Sequence, residues 1–217
     1  MPEPPVDVDR MVYPRGSLEF GRVLAFTDGV VAIALTLLVL NLEVPRPAGD
    51  DAGVDIWQLV SGLGDQFFAF GLSFAIIGFY WIAHHRFAAQ LRAVDLPMLV
   101  WTLLFLVVIV LIPFQSDLIG LYGDNPQAVA LYAGGFAVIG VVDAAGLLIA
   151  RARDLLSVRP GPAELRFVLA MRLVPGAVFL ASVPIALVVS VGLAQWSWAL
   201  IWPLTVLVGR LLDPSRA

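Results

Sequence analysis

The sequence predicts an all-α integral membrane protein, a single transmembrane domain over residues 1–217 that crosses the bilayer about six times. Its composition is the first reason, because 60% of the residues are hydrophobic and only 14% are charged. Soluble domains contain about 45–50% apolar and about 25% charged residues. A soluble core of this length cannot bury so much apolar surface, so lipid must solvate much of it.

Six apolar stretches are the second reason, since a spanning helix needs roughly 20 mostly apolar residues. We predict helices over residues 18–42, 56–87, 96–118, 126–150, 163–193 and 196–212. The first ends before Pro45, and its length predicts a retained helix and not a cleaved signal peptide. Pro203 is expected to kink the sixth helix. The short connections leave no room for a separate soluble domain.

The distribution of arginine predicts the orientation. All 13 basic residues are Arg, and with six spans 12 of them fall on the side that holds both termini, while Arg46 alone falls on the other. This positive-inside asymmetry predicts a multi-pass protein of the cell (inner, cytoplasmic) membrane with both termini in the cytoplasm. The arginines form no single basic patch, so we expect membrane lipid and no nucleic acid as a partner.

The first helix carries most of the functional information. Asp28 lies well inside it, and a charge within a spanning helix is a functional-site hypothesis by default. At 100° per residue, Ile33, Thr36, Leu37 and Leu40 share one face, whereas Asp28 points about 140° away from Ile33. We therefore expect Asp28 to face the protein interior and the apolar stripe to face elsewhere.

The second helix offers partners for Asp28. Trp81 and His84 are three residues apart on one helix face, and both side chains can donate a hydrogen bond. A buried polar cluster that only locks helices together explains these residues equally well. An apolar stripe on a spanning helix faces lipid or the core in most cases, so these alternatives to a pore stay open at this point.

Two motifs carry a resemblance to a known family. Arg22-x-x-x-Phe26-Thr27-Asp28 on the first helix resembles the Arg-x-x-x-Phe-Ser-Asp signature of the transmembrane protein 175 family, the endosomal and lysosomal potassium channels and their bacterial relatives. Trp81-x-x-His84-His85 is similar to a second family feature. Thr27 stands where the family usually has Ser, which keeps the hydroxyl and adds a methyl group.

The resemblance implies a potassium-permeable cation channel that admits Na⁺ less well. Four copies of one six-helix chain would form a homotetramer, with the first helices around a four-fold axis. The apolar constriction maps to Ile33, Thr36 and Leu40, with Leu37 adjacent. A packing network is implied for Arg22, Phe26, Thr27, Asp28, Trp81 and His84. Helical angle alone puts Arg22 on the stripe, so its place in the pore or in the network stays open.

Other functional classes are weighed against this one. A potassium filter of backbone carbonyls is not expected, because no TVGYG-like loop occurs. An ion-coupled secondary transporter is the main alternative, with Asp28, Asp65 and Asp143 as candidate carboxylates. Enzyme motifs are absent, and adjacent His84 and His85 cannot share one metal from a regular helix. We expect no enzyme activity, no cofactor and no structural metal, only K⁺ passing transiently.

Overall fold

The computed structural model describes residues 11–44 and 55–212, and this part of the chain is almost entirely helical. A short antiparallel pairing, β1 (Tyr13–Pro14) with β2 (Ala93–Val94), is the exception. The eight α-helices in these ranges are α1 (Leu18–Leu37), α2 (Ile56–Ser61), α3 (Gly64–Gln90), α4 (Leu96–Leu121), α5 (Pro126–Ala152), α6 (Pro162–Pro184), α7 (Val191–Ser197) and α8 (Ile201–Leu212).

Six continuous helical segments are long and apolar enough to cross a membrane. Three of them join an α-helix to a tighter or wider turn: α1 continues as a 3₁₀ turn over Leu38–Asn41, α6 as a π turn over Ile185–Val189, and α7 joins α8 through a 3₁₀ turn at Trp198–Leu200. The predicted all-α, six-span membrane fold is confirmed.

Two predicted boundaries are wrong. The second helix does not run unbroken from residue 56, because α2 ends at Ser61, with Gly62 as its C-cap, and α3 starts at Gly64. Glycine lowers the stability of a helix interior, and two of them flank the break. The fifth and sixth helices separate at Ser190, not at residues 194–195, because the π turn after Pro184 ends in the extended backbone of Ser190, which caps α7.

Some of the sequence predictions lie outside the described residues. These are the helix stop at Pro45 and the placement of Arg10, Arg46 and Arg216. Inside the described ranges, α3, α4 and α5 each extend two or three residues beyond their predicted ends. Such differences at frayed helix ends are ordinary.

The core is centred on α5, which packs between α4 and α6. An aromatic cluster joins α5 to α6 and the last span: the Tyr132 and Phe136 rings are 4.7 Å apart, and the Phe136 and Phe179 rings 4.9 Å apart. Trp198 lies against the same cluster and donates from Nε1 to Ser182 Oγ at 2.9 Å. The Trp198 indole and the Ser182 hydroxyl thus satisfy each other inside the bundle.

Loops at one end of the bundle are cross-linked by backbone hydrogen bonds. Besides the β1–β2 pair, the Arg92 amide donates to the Leu155 carbonyl at 2.8 Å, and the Arg15 amide to the Arg92 carbonyl at 2.7 Å. Buried Asp95 caps α4 and pairs with Arg153. This loop clasp, formed by residues 13–15, 91–95 and 153–157, fixes the start of α1 against the ends of α3 and α5.

Close contact between α5 and α6 requires glycine at one crossing point. A Cβ atom on Gly140 would lie 3.2 Å from the Gly176 Cα atom, which belongs to backbone and cannot rotate away. Gly140→Val is therefore expected to destabilise the protein by roughly 1–3 kcal/mol through overpacking. The measurement is the melting temperature in detergent.

Gly134 provides the matched control for this substitution, since it lies on the same helix. A Cβ atom there would meet nothing within 4 Å among the described residues. Gly134→Val should therefore cost little, because valine is also a better helix former than glycine. Equal melting temperatures for the two variants would contradict the close crossing of α5 and α6.

Candidate functional site

The exposed side of α1 is the first feature of the candidate site. α1 packs mainly against α3 and α4 and buries one narrow face against them. The side chains of Ile33 and Leu40 are 59% and 68% exposed, and Leu37 is 39% exposed. Thr36 is exposed on the same side. The predicted apolar stripe is thus on the surface of the single chain, away from its core.

Thr36 has its hydroxyl oriented by its own helix. The Thr36 hydroxyl donates to the Ile33 carbonyl at 2.8 Å. A hydroxyl has one donor and two acceptor lone pairs, so the remaining lone pairs of this oxygen point away from the helix backbone. The apolar stripe therefore offers the Thr36 oxygen as an acceptor among apolar side chains.

Asp28 is not inside the protein interior, which corrects the sequence prediction. It lies at the edge of the exposed side of α1, where the Trp81 indole Nε1 donates to its Oδ1 at 2.9 Å. The physical reason is the narrowness of the buried face, which is made by small or apolar residues such as Thr27, Val31 and Ala34. Only residues directly opposite α3 and α4 are covered.

The other predicted network residues are only partly brought together. Thr27 is buried, and its hydroxyl donates to the Val23 carbonyl of α1 at 2.9 Å. His84 is buried too, and its ring stacks on those of Trp101 and Phe105, with centroids 5.8 and 5.0 Å away. Its Nδ1 has no hydrogen-bond partner among the described residues. Of the predicted polar contacts, the structure contains the one between Asp28 and Trp81.

Arg22 and Phe26 lie on the exposed side of α1. Behind Asp28, a cavity of about 170 Å³ separates α1 from α3. It is lined by Arg15, Phe20, Leu24, Asp28, His84, His85, Ala88 and Ala89. Of the motif residues, Asp28, His84 and His85 thus line the space between α1 and α3, and the described motif residues do not form a single hydrogen-bonded chain.

The far end of α1 is attached by two hydrogen bonds that the sequence analysis missed. The Asn41 side-chain amide donates to the Pro113 carbonyl of α4 at 2.7 Å. The Glu43 backbone amide donates to Gln66 Oε1 of α3 at 3.1 Å. A lone amide side chain at the end of an otherwise apolar helix was the available signal, because such a group needs a partner in or near hydrocarbon.

A buried ion pair, also missed, provides the partner of Asp143. Arg172 Nη1 lies 2.7 Å from Asp143 Oδ1, and the two side chains are only 11% and 2% exposed. The Arg172 guanidinium also sits 5.0 Å from the centre of the Phe87 ring. Arg172 therefore belongs to the interior of α6 and not to a cytoplasmic loop end, where the orientation analysis had counted it.

Known proteins match this chain in the region that contains the candidate site. The family model "Endosomal/lysosomal potassium channel TMEM175" matches residues 22–113, which begin at the motif arginine and end at the proline that binds Asn41. A solved structure, described as a lysosomal potassium-selective channel TMEM175 homolog from Chamaesiphon minutus, superposes with a TM-score of 0.69 at 28% identity. The match covers 91% of this chain and 100% of that one.

Residues 22–113 of the chain thus match the TMEM175 family. Curated relatives include a potassium channel of Chamaesiphon minutus, 38% identical over 127 residues, and one of Streptomyces collinus, 31% identical over 121 residues. These matches cover 57% and 56% of this chain, and the chain spans 62% and 57% of the two relatives' lengths. The family model describes a channel and not an enzyme.

Other matches extend the TMEM175 comparison. The human relative, described as an endosomal/lysosomal proton channel, is 37% identical over 76 residues, which is 33% of this chain and 15% of that protein. The solved potassium channel MtTMEM175 shares the fold with a TM-score of 0.59 at 17% identity, covering 95% of this chain and 98% of that one. The family resemblance of the sequence motifs is confirmed.

The buried ion pair gives a prediction about stability. Arg172→Met leaves the Asp143 carboxylate buried without its partner, and breaking such a pair typically costs about 3–5 kcal/mol. The double variant Asp143→Leu/Arg172→Met removes both charges and should be more stable than Arg172→Met alone. Thermal unfolding in detergent measures both.

The control for this prediction is the ion pair between Arg92 and Asp154, whose side chains are 56% and 62% exposed. Arg92→Met should cost less than about 1 kcal/mol, because solvent screens exposed pairs. If Arg172→Met were no more destabilising than Arg92→Met, the Asp143–Arg172 pair would not be buried in the membrane protein.

Proposed function

We propose that the chain forms a potassium-permeable cation channel in which several copies place the exposed side of α1 around a common axis. The observation that carries the proposal is the exposure, on one spanning helix, of a carboxylate together with an apolar stripe. Asp28 and Ile33 are both on the surface of the single chain, inside a segment long and apolar enough to span the bilayer.

The depth of Asp28 excludes contact with lipid on that side. It lies ten residues beyond Leu18, the first residue of α1. At 1.5 Å per residue this is about 15 Å into the helix. A carboxylate at this depth is costly in hydrocarbon and almost always faces protein or a water-filled space. The hydrogen bond from Trp81 satisfies only part of its acceptor capacity, so we infer that this side of α1 is covered in the assembled protein.

Assembly around an axis accounts for the rest of the exposed side. The exposed arc of α1 runs from Asp28, beside α3, to the stripe of Ile33, Thr36 and Leu40. In an assembly, the Asp28 edge faces a neighbouring copy and the stripe faces the axis. The match of residues 22–113 to the TMEM175 family supports this arrangement, and the resemblance of the helix 1 motif implies four copies. The potassium channel names of the bacterial relatives support K⁺ as the permeant ion.

Selectivity in this proposal comes from partial dehydration. A ring of Ile33 side chains narrows the path and strips some water from a passing ion. Potassium holds its water less tightly than sodium and passes more easily, so the preference for K⁺ is modest. The outward lone pairs of Thr36 can replace one lost water, because its proton is directed to the Ile33 carbonyl. Leu37 and Leu40 add apolar layers that gate by dewetting.

The transporter alternative has weaker support. It needs intramembrane carboxylates that cycle through protonation, and Asp143 is held by Arg172 in a buried ion pair. Asp28 accepts a hydrogen bond from Trp81.

The orientation proposed for the channel puts the loop clasp in the cytoplasm, since Arg15, Arg92 and Arg153 all lie in the clasp.

The test of the proposed function is the reversal potential of the purified protein in a planar bilayer under opposed K⁺ and Na⁺ gradients. The native chain should carry current that reverses toward the potassium potential. Ile33→Asn should move the reversal potential toward zero by replacing an apolar ring with hydrated amides. The matched control is Val141→Asn, because Val141 is 61% exposed on α5, which does not pack on α1.

Three results would contradict the proposal. Absence of current from folded, assembled native protein would favour the transporter or a scaffolding role. A current that follows an imposed pH gradient and ignores K⁺ would favour proton conduction, the activity named for the human relative. An unchanged reversal potential in Ile33→Asn would remove Ile33 from the constriction.

A second prediction concerns water access to the stripe. The chain has no cysteine, so a single introduced thiol gives no background labelling. Cysteine at Ile33 or Leu40 should react with a charged thiol reagent, whereas cysteine at Val141 should remain unmodified, because thiolates form in water and not in lipid. The measurement is the mass of the reconstituted protein after labelling. Equal reactivity at Leu40 and Val141 would contradict a hydrated path along α1.

A further inference from the structure

The outer end of α1, its C-terminal end, changes from an α-helix to a 3₁₀ turn just before Leu40, the last residue of the apolar stripe. Hydrogen bonds of the α type end at Leu37, and a 3₁₀ turn covers Leu38–Asn41. The Leu42 amide donates to the Val39 carbonyl at 3.2 Å, three residues back. Leu38 in this turn is fully buried, and Leu40 is largely exposed.

This change in winding determines where Leu40 points. A 3₁₀ helix turns about 120° and rises about 2.0 Å per residue, against about 100° and 1.5 Å in an α-helix. Three residue steps separate Leu37 from Leu40. Relative to an uninterrupted α-helix, Leu40 is therefore rotated by about 60° and carried about 1.5 Å farther along the axis. In an uninterrupted α-helix Leu40 would lie about 20° to one side of Ile33, and the turn brings it about 40° to the other side, so the turn sets the direction of Leu40 relative to Ile33.

Two hydrogen bonds hold the turn from neighbouring helices. Asn41 Nδ2 donates to the carbonyl of Pro113, a buried residue inside α4. The Glu43 amide donates to Gln66 Oε1. Gln66 is itself held against α4, because a Cβ atom on Gly120 would lie 3.4 Å from the Gln66 Cα atom. The end of α1, the start of α3 and the end of α4 thus meet at these bonds.

We propose that Asn41 and Gln66 are positioning residues that keep the outer turn of α1 in its 3₁₀ form and so set the direction of Leu40. The reason is that the partly buried Asn41 amide is costly to leave without a partner, and the Pro113 carbonyl is within its reach in the observed winding. In a continuous α-helix, Asn41 would be rotated and displaced from that carbonyl. The consequence for conduction rests on the proposed channel function, and the winding itself does not.

The test compares variants that remove or keep one of these hydrogen-bonding side chains. Asn41→Leu keeps the approximate size and removes the amide, and Asn41→Gln keeps an amide donor. Gln66→Ala removes the second bond and serves as an independent variant where Asn41→Leu does not fold. Ser182→Ala is the control, because it removes the bond from Trp198 in a region away from α1.

The first readout is hydrogen–deuterium exchange of the backbone amides of residues 38–44, which needs no ion conduction. Asn41→Leu should speed this exchange on the order of tenfold, the effect of losing one hydrogen bond. Exchange over residues 20–34 should stay unchanged. Asn41→Gln should remain near native, and Ser182→Ala should leave residues 38–44 unaffected.

The second readout is the rate of thiol modification of cysteine at Leu40 and at Ile33. Adding Asn41→Leu should change the rate at Leu40 at least about threefold and leave the rate at Ile33 unchanged, because only Leu40 lies beyond the turn. A purely structural role would alter both rates or neither. Rescue by Asn41→Gln supports positioning by the amide.

The outcomes test the positioning role of Asn41 and Gln66 separately from the proposed channel function. Native-like exchange and native-like Leu40 modification in both Asn41→Leu and Gln66→Ala would overturn the positioning role. Faster exchange at residues 38–44 with an altered Leu40 rate supports it, even where the native protein carries no current. Faster exchange and an altered Leu40 rate in a protein that carries no current would refute the proposed function and would still support the positioning role of Asn41 and Gln66.

Discussion

The intolerance of hydrocarbon for unpaired charge is the constraint on which the rest of this structure depends. Buried charge is accepted only with a partner, and the Asp143–Arg172 pair between α5 and α6 satisfies this inside a single chain. Asp28 meets the same requirement only in part, through Trp81, and remains on the surface. The charges buried between α5 and α6 are thus paired within one chain. The Asp28 carboxylate of α1 is fully satisfied only when another surface covers the exposed side of α1.

This difference separates α1 from the central helices α4, α5 and α6. α4, α5 and α6 carry the aromatic core, the close glycine crossing and the buried ion pair, so they form the rigid part of the bundle. α1 lies at the edge of this body. It is fixed by the loop clasp at one end and by Asn41 and Gln66 at the other, with Trp81 between them. A helix attached at three separate points keeps one continuous exposed face, and the segments between these points can still change conformation.

Local sequence information predicted the fold because membrane spans are defined by length and composition. It also identified Ile33 and Thr36 as one face, since helical periodicity decides this inside α1, and it placed Leu40 on the same exposed side although the 3₁₀ turn changes its direction. Periodicity could not decide which side of α1 is covered, because that depends on where α3 and α4 pack, and the interior placement of Asp28 was therefore wrong. Winding at Leu38–Asn41 and the partner of Asp143 are tertiary properties, determined by residues 29 to 72 positions away.

The Asp143–Arg172 pair has a consequence for biogenesis. Asp143 lies inside α5, and its partner is made 29 residues later on α6. Insertion of α5 alone would expose the carboxylate to lipid at a cost of about 2.5–3.5 kcal/mol. Insertion of the two helices together cancels much of this cost, because the charges can meet before either reaches the bilayer centre. We therefore expect α5 and α6 to leave the translocon as a hairpin, with the loop clasp closing only after residue 157 has been synthesised.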